Sequence, residues 1–336
     1  MMQAAIYGLE GPALKDDERA LFLDAEPAGF ILFRRNCESQ DQLLRLTDSL
    51  RSLAGRDDVP ILIDQEGGRV ARMRPPEWPA FPAAEKFANL YRAAPSSAIE
   101  AVRSNARALA LMLRSVGVNV NALPLLDVRQ EGATDIIGDR ALGSEPMQVA
   151  ALGRAVLDGM ASAGVIGIVK HMPGHGRALV DSHKELPIVT ASAEELEIDL
   201  EPFERLSAAP MGMTAHVVYT AWDERRPASL SPVIIRDIIR ERIGFDGLLM
   251  SDDLGMEALK GDFASRARDV VAAGCDLALH CSGKMDEMVA VASAVPALSN
   301  EGHDRLTRAM AGSRIGLDTV DFAQEISKRD QLLALA

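Results

Sequence analysis

The 336-residue sequence predicts a single (β/α)8 barrel of the TIM type, on three observations. Eight short apolar runs recur along the chain, amphipathic helical stretches separate most of them, and titratable residues stand directly at their ends. Strands alternating with helices imply parallel pairing through right-handed crossovers, and eight such units suit a closed barrel better than an open doubly wound sheet. The runs are Ala4–Tyr7, Gly29–Phe33, Pro60–Ile63, Val118–Val120, Ile166–Val169, Met211–Ala215, Gly247–Met250 and Asp276–Leu279. Between them, Gln42 to Leu53, Ile99 to Leu113, Met147 to Met160 and Ile234 to Ile243 place apolar residues three and four apart, the spacing of a one-sided helix. No repeat, low-complexity segment or Pro/Ser-rich linker divides the chain. Residues 1–336 therefore read as one domain, with a last helix and a polar tail from about residue 301.

Composition excludes several classes. A net charge of −13 leaves no basic surface for nucleic acid or an anionic membrane. Cys37, Cys275 and Cys281 give an odd count without paired spacing, which argues against a disulfide framework. The first residues lack the basic start and long apolar stretch of a signal peptide, and the apolar segment from Ala150 to Val169 is interrupted by Arg154 and Asp158. The expectation is a reduced, cytoplasmic protein, a monomer or weak homodimer.

The chemistry concentrates after the fifth run, at Lys170-His171-Met172-Pro173-Gly174-His175-Gly176 and then Asp181-Ser182-His183. Half of the six histidines fall within these residues, and the Pro-Gly pair forbids a continuous helix, so they sit on a loop held by the strand behind it. Other run ends carry Arg34-Arg35-Asn36, Asp64, Asp127, His216, Ser251-Asp252-Asp253 and His280. Barrel enzymes assemble their sites from the C-terminal ends of several strands. Gly67 and Gly68, after Asp64, read as a tight turn that needs positive φ, whereas Asp64 itself suits hydroxyl recognition. Arg69, Arg72 and Arg74, and Arg140 in a later loop, suit either an anion or hydroxyl pair or a solvated cluster. His171 and His175 are four apart, but Pro173 and Gly174 break the helical spacing of a zinc pair, so no metal is expected. Asp181, two residues before His183, can fix that ring's tautomer and favour its protonated form. Asp252 and Asp253 point to opposite sides of an extended segment, so one faces the barrel axis while the other caps a helix or holds a neighbouring loop.

Taken together, Ile63-Asp64-Gln65-Glu66-Gly67-Gly68-Arg69-Val70, Gly138-Asp139-Arg140, Lys170 to Gly176, Asp181-Ser182-His183, Met213-Thr214-Ala215-His216 and Ser251 to Met256 resemble the β-N-acetylglucosaminidases of glycoside hydrolase family 3. The resemblance runs from roughly residue 5 to 290. It departs at Met172, at Ala141-Leu142 and at Arg177-Ala178-Leu179, none of which removes a reacting group. It implies Asp252 as nucleophile and His183 as general acid/base with Asp181 as its partner. Asp64, Arg72, Arg140, Lys170 and His171 would bind the terminal N-acetylglucosamine. It further implies a retaining hydrolase without cofactor, acting on small amino-sugar oligosaccharides or muropeptides of bacterial cell-wall recycling. Two rivals remain at this stage: a Schiff-base aldolase using Lys170, and a non-catalytic sugar-binding barrel.

Overall fold

The computed structural model describes residues 1–314 and 321–335. Among these residues, eight strands close into a barrel: β1 (Gln3–Gly8), β2 (Pro27–Leu32), β3 (Ile61–Ile63), β4 (Val120–Asn121), β5 (Ile166–Met172), β6 (Met211–Thr214), β7 (Leu248–Asp253) and β8 (Leu277–His280). Every neighbouring pair is parallel, and β1 closes the ring against β8 with Tyr7 beside His280. Parallel strands buried on both faces read as continuous apolar runs, which is why the eight runs were legible. All eight positions hold. β5 and β7 each run three residues further than the apolar runs do, so Lys170 and His171, and Asp252 and Asp253, belong to the strands themselves.

Local chemistry starts and stops the helices. Gln40–Ala54 begins at Ser39, whose hydroxyl accepts from the Gln42 N–H while the Gln42 side chain reaches back, and ends at Gly55 with φ 62°. Ala193–Arg205 begins with the same reciprocal pair, Ser192 and Glu195. Pro95–Ser115 and Pro146–Ser162 each open on a proline, whose missing N–H is unpaired in a first turn anyway. The stretch predicted as a helix over Ile234–Ile243 is wound more loosely, as a π-helix over Ile234–Arg242 in which the Ile243 N–H reaches the Ile238 carbonyl five residues back.

Two features lie outside the sequence reading. Ile188–Val189 and Val218–Tyr219 form a small parallel sheet above the barrel. The helix expected from about residue 301 is Asn300–Ala311, and beyond it and the short 3-10 turn Gly312–Arg314 the tail carries a second helix, Phe322–Leu333. The second lies on Pro95–Ser115, with Arg107 Nη1 2.9 Å from Glu325 Oε1 and the buried Arg329 donating to Asn105 Oδ1 at 3.2 Å. Among the described residues no helix is long and apolar enough to cross a membrane.

Candidate active site

Because all eight strands run the same way, their polar exits meet at one end. There, Asp64, Arg72, Arg140, Lys170, His171, His183 and Asp252 line one open pocket of about 240 Å³. Asp181 stands behind His183 rather than in the pocket wall.

One side of the pocket is a chain of alternating charges. The Lys170 side chain is 2% exposed, and its Nζ sits 2.7 Å from Glu66 Oε1 and 3.1 Å from Asp64 Oδ1. The second Asp64 oxygen takes Arg72 Nη2 at 3.1 Å, and Arg140 grips Glu66 through Nε and Nη2, both at 2.8 Å. Burial opposes ionisation of the carboxylates, but Lys170 with Arg72, and Lys170 with Arg140, hold Asp64 and Glu66 below the ordinary carboxylate range. Burial alone would lower Lys170, yet Glu66 and Asp64 outweigh it and raise its pKa. An amine held charged between two carboxylates is no nucleophile, so the Schiff-base reading of Lys170 loses its physical basis. Glu66 was not singled out from the sequence. Its place in the Glu-Gly-Gly segment reads as a turn, and Gly67 (φ 99°) and Gly68 (φ 55°) do form one, closed by the Val70 N–H on the Gly67 carbonyl.

The histidines separate by what their ring nitrogens touch. His171 Nδ1 lies 2.8 Å from Asp127 Oδ2, while Asp127 Oδ1 accepts the backbone N–H groups of His171 (3.2 Å) and His175 (2.7 Å). An ionised carboxylate only accepts, so Nδ1 carries the proton and Nε2 is the nitrogen left for the pocket. His175 Nε2 is 3.2 Å from the Ser182 hydroxyl, and burial pulls this ring down to about 4. His216 donates from Nε2 to the Asp253 carbonyl (3.0 Å), leaving Nδ1 to accept from Ser229 (2.6 Å). With both nitrogens committed to protein partners and burial lowering its pKa, His216 is a strut rather than a proton donor to the pocket. His183 differs: its ring is 62% exposed, and Nδ1 lies 2.9 Å from Asp181 Oδ1, which also accepts the His183 N–H. Among the described residues no group of three His, Cys, Asp or Glu side chains is disposed to hold a metal ion.

On β7 the two aspartates diverge. Asp253 Oδ1 accepts from the Gly255 and Cys281 N–H groups, so it holds the β8 exit rather than capping a helix. The Asp252 carboxylate accepts from the Asp253 N–H at 2.8 Å, its one hydrogen bond among the described residues. Burial would raise its pKa, but His171, His216 and that N–H outweigh it and keep Asp252 below the usual range. The pocket thus presents an ionised carboxylate on one strand and an exposed Asp–His pair on a loop.

Asp127, 0% exposed, reads in the sequence only as a strand-exit residue, yet it organises the loop root. Its three histidine contacts outweigh burial and depress its pKa to about 2. The stability it contributes is fully present above its unfolded value near 3.8 and is lost as pH falls through about 2; the shift is worth roughly 2 kcal/mol. Guanidinium unfolding at pH 6, 4 and 3 is expected to show Asp127→Asn losing less stability on acidification than the wild type. Parallel losses in the two proteins would contradict this account.

Residues 1–310 match the profile described as the glycosyl hydrolase family 3 N terminal domain. The chain is 39% identical over 330 residues to a beta-hexosaminidase of Methylococcus capsulatus, covering 95% of each. It is 40% identical over 282 residues to a beta-hexosaminidase of Alkalilimnicola ehrlichii, covering 82% of this chain and 80% of that one. In structure it is similar to NagZ from Neisseria gonorrhoeae in complex with N-trifluoroacetyl-D-glucosamine, with a TM-score of 0.88 and 32% identity over 100% of this chain and 98% of that one. A family 3 beta-N-acetylglucosaminidase from Paenibacillus gives a TM-score of 0.86 and 29% identity, covering 98% of this chain and 66% of the longer neighbour.

Proposed function

Since the chain belongs to glycosyl hydrolase family 3 and is a β-N-acetylhexosaminidase, we propose that it removes terminal, non-reducing N-acetylglucosamine with retention of configuration, through a glycosyl ester on Asp252. The whole chain acts as one catalytic barrel. Its substrates are small peptidoglycan-derived fragments such as GlcNAc-1,6-anhydro-MurNAc, with or without peptide, met in the cytoplasm. The observation that carries the reading is the shared pocket of Asp252, held ionised, and His183, an exposed imidazole backed by Asp181. The Neisseria relative's complex with an N-acylated glucosamine supports the choice of sugar.

The steps follow from the groups in place. Asp64 accepts from ring hydroxyls, while Arg72, Arg140 and Lys170 donate to them, which fixes the sugar before the reaction. Asp252 attacks the anomeric carbon as the bond to the aglycone oxygen breaks. His183, protonated at Nε2, gives that oxygen its proton. Water then attacks the glycosyl ester while the now neutral His183 takes its proton, restoring Asp252 and releasing the β-anomer. Asp181 holds the imidazole in the tautomer that leaves Nε2 free for both transfers.

The test is direct. The purified protein is expected to cleave a methylumbelliferyl N-acetyl-β-glucosaminide and to ignore the corresponding β-glucoside. Proton NMR of the first turnovers should show the β-anomer before mutarotation. An α-anomer as first product would overturn the covalent route, and no cleavage of any aryl hexosaminide would return the chain to a sugar-binding barrel.

A further inference from the structure

The loop that carries His183 is fastened at both ends and free between them. At its root the Gln130 N–H bonds to the Gly176 carbonyl (3.3 Å) and the Thr134 N–H to the Ala178 carbonyl (3.0 Å). The fit is close: a Cβ on Gly176 would stand 1.9 Å from the Val128 carbonyl oxygen. At its far end the Val218 N–H bonds to the Pro187 carbonyl (3.0 Å), where the Ile188–Val189 and Val218–Tyr219 sheet begins. Over residues 179–186 the hydrogen bonds are local, made around Asp181, except for Ser182 on His175. Leu179, at the start of this stretch, is 70% exposed.

Arg177 is placed to control that stretch. Its Nε lies 2.6 Å from Asp199 Oδ2 and its Nη2 2.8 Å from the Glu195 carbonyl, both on the helix Ala193–Arg205. Asp199 is 1% exposed, and its other oxygen is buried with no hydrogen-bond partner among the described residues. It packs directly beneath the strand-exit turn, where a Cβ on Gly174 would stand 3.0 Å from the Asp199 Cβ. Burial raises the Asp199 carboxyl to about 6 against the pull of Arg177, so the pair is ionised at neutral pH, and parting it there would leave a buried charge uncompensated. Two residues beyond Arg177 the tethered backbone ends and the free stretch begins.

We propose that the Arg177–Asp199 ion pair is a latch that sets where the His183 loop rests over the pocket, which makes Arg177 a positioning residue for proton transfer. The inference rests on the reading of His183 given above. A general acid must stand within hydrogen-bond reach of the departing oxygen, and an error of about 1 Å costs on the order of 100-fold. The latch touches neither the sugar-binding chain nor Asp252, so its loss should fall on the proton-transfer step alone.

The test compares Arg177→Ala, Arg177→Lys and Asp199→Asn over a series of aryl N-acetyl-β-glucosaminides and a GlcNAc-terminated disaccharide. Arg177→Ala is expected to lose tenfold or more in kcat/KM on the disaccharide and less than about threefold on a dinitrophenyl glycoside, with N-acetylglucosamine inhibiting at an unchanged constant. Arg177→Lys, which keeps the charge, should recover most of the loss. A uniform loss across leaving groups, or none, overturns the latch. Should Arg177→Ala fail to fold, the leaving-group dependence of Asp199→Asn decides instead, since its amide still accepts from Arg177 but no longer as an ion pair. A parallel His183→Ala series separates the two levels. A steep dependence in His183→Ala with a flat one in Arg177→Ala removes the latch alone, while flat dependence in both removes the reading of His183 with it.

Discussion

Asp252→Asn is expected to abolish turnover, with kcat on an aryl N-acetyl-β-glucosaminide falling by several orders of magnitude, while folding and sugar binding persist. The amide keeps the volume of the carboxylate and still accepts the Asp253 N–H that holds Oδ1 at 2.8 Å, so the backbone of β7 has no reason to move. What it loses is the negative charge that His171 and His216 stabilise and the electron pair that would form the ester. The chain of alternating charges proposed to hold the sugar, from Asp64, Glu66 and Lys170 to Arg72 and Arg140, is made without Asp252, so calorimetric titration with N-acetylglucosamine should give an affinity within a few fold of wild type. Near-normal activity in the variant, expressed in a host lacking a wild-type copy, would remove Asp252 as nucleophile and with it the two-step route.

The parts of this molecule that were legible in its sequence are those whose signal is local. Each barrel strand is an apolar run because both its faces are covered, and most strand exits are marked by a titratable side chain. Strand ends were less legible at β5 and β7. There the apolar run stops at Val169 or Met250 while the pairing continues through Lys170-His171 and Asp252-Asp253; Glu66 beyond β3 offsets the burial of Lys170, and the Cys281 N–H beyond β8 that of Asp253. Glu66 and Asp127 were hidden for the same reason. Nothing in the Glu-Gly-Gly segment announces that Arg140, 74 residues away, will close on it, and Asp127 gains its role from backbone N–H groups 44 and 48 residues on. The small sheet of Ile188–Val189 and Val218–Tyr219 was invisible because two-residue strands carry no alternation to read.

The structure also raises a competitor for the acid/base, because His171, which lines the same pocket, is backed by Asp127 as a second carboxylate–imidazole pair. Their surroundings differ. His171 lies on the barrel strand beside Lys170, is almost wholly buried and is among the groups that favour the charged form of Asp252. His183 is exposed on a loop, where it can meet a departing aglycone. Leaving-group chemistry distinguishes them. An acid assists departure in proportion to how poor the leaving group is. His183→Ala should therefore be slowed by about 100-fold or more on a natural disaccharide, whose alcohol has a high pKa, and far less in releasing an acidic phenol. Hydrolysis of the ester on Asp252 would then lack its base, so a burst of phenol should precede a slow steady state. Azide, a small anion that needs no deprotonation, should speed that second step and yield a β-glycosyl azide. Asp181→Asn should give a milder form, since the imidazole stays and loses only the charge that orients it. If His183→Ala instead slowed all leaving groups equally and azide gave no rescue, His183 would be a binding residue. His171 would then inherit the acid/base role, and the same series run on His171→Ala would show the steep dependence.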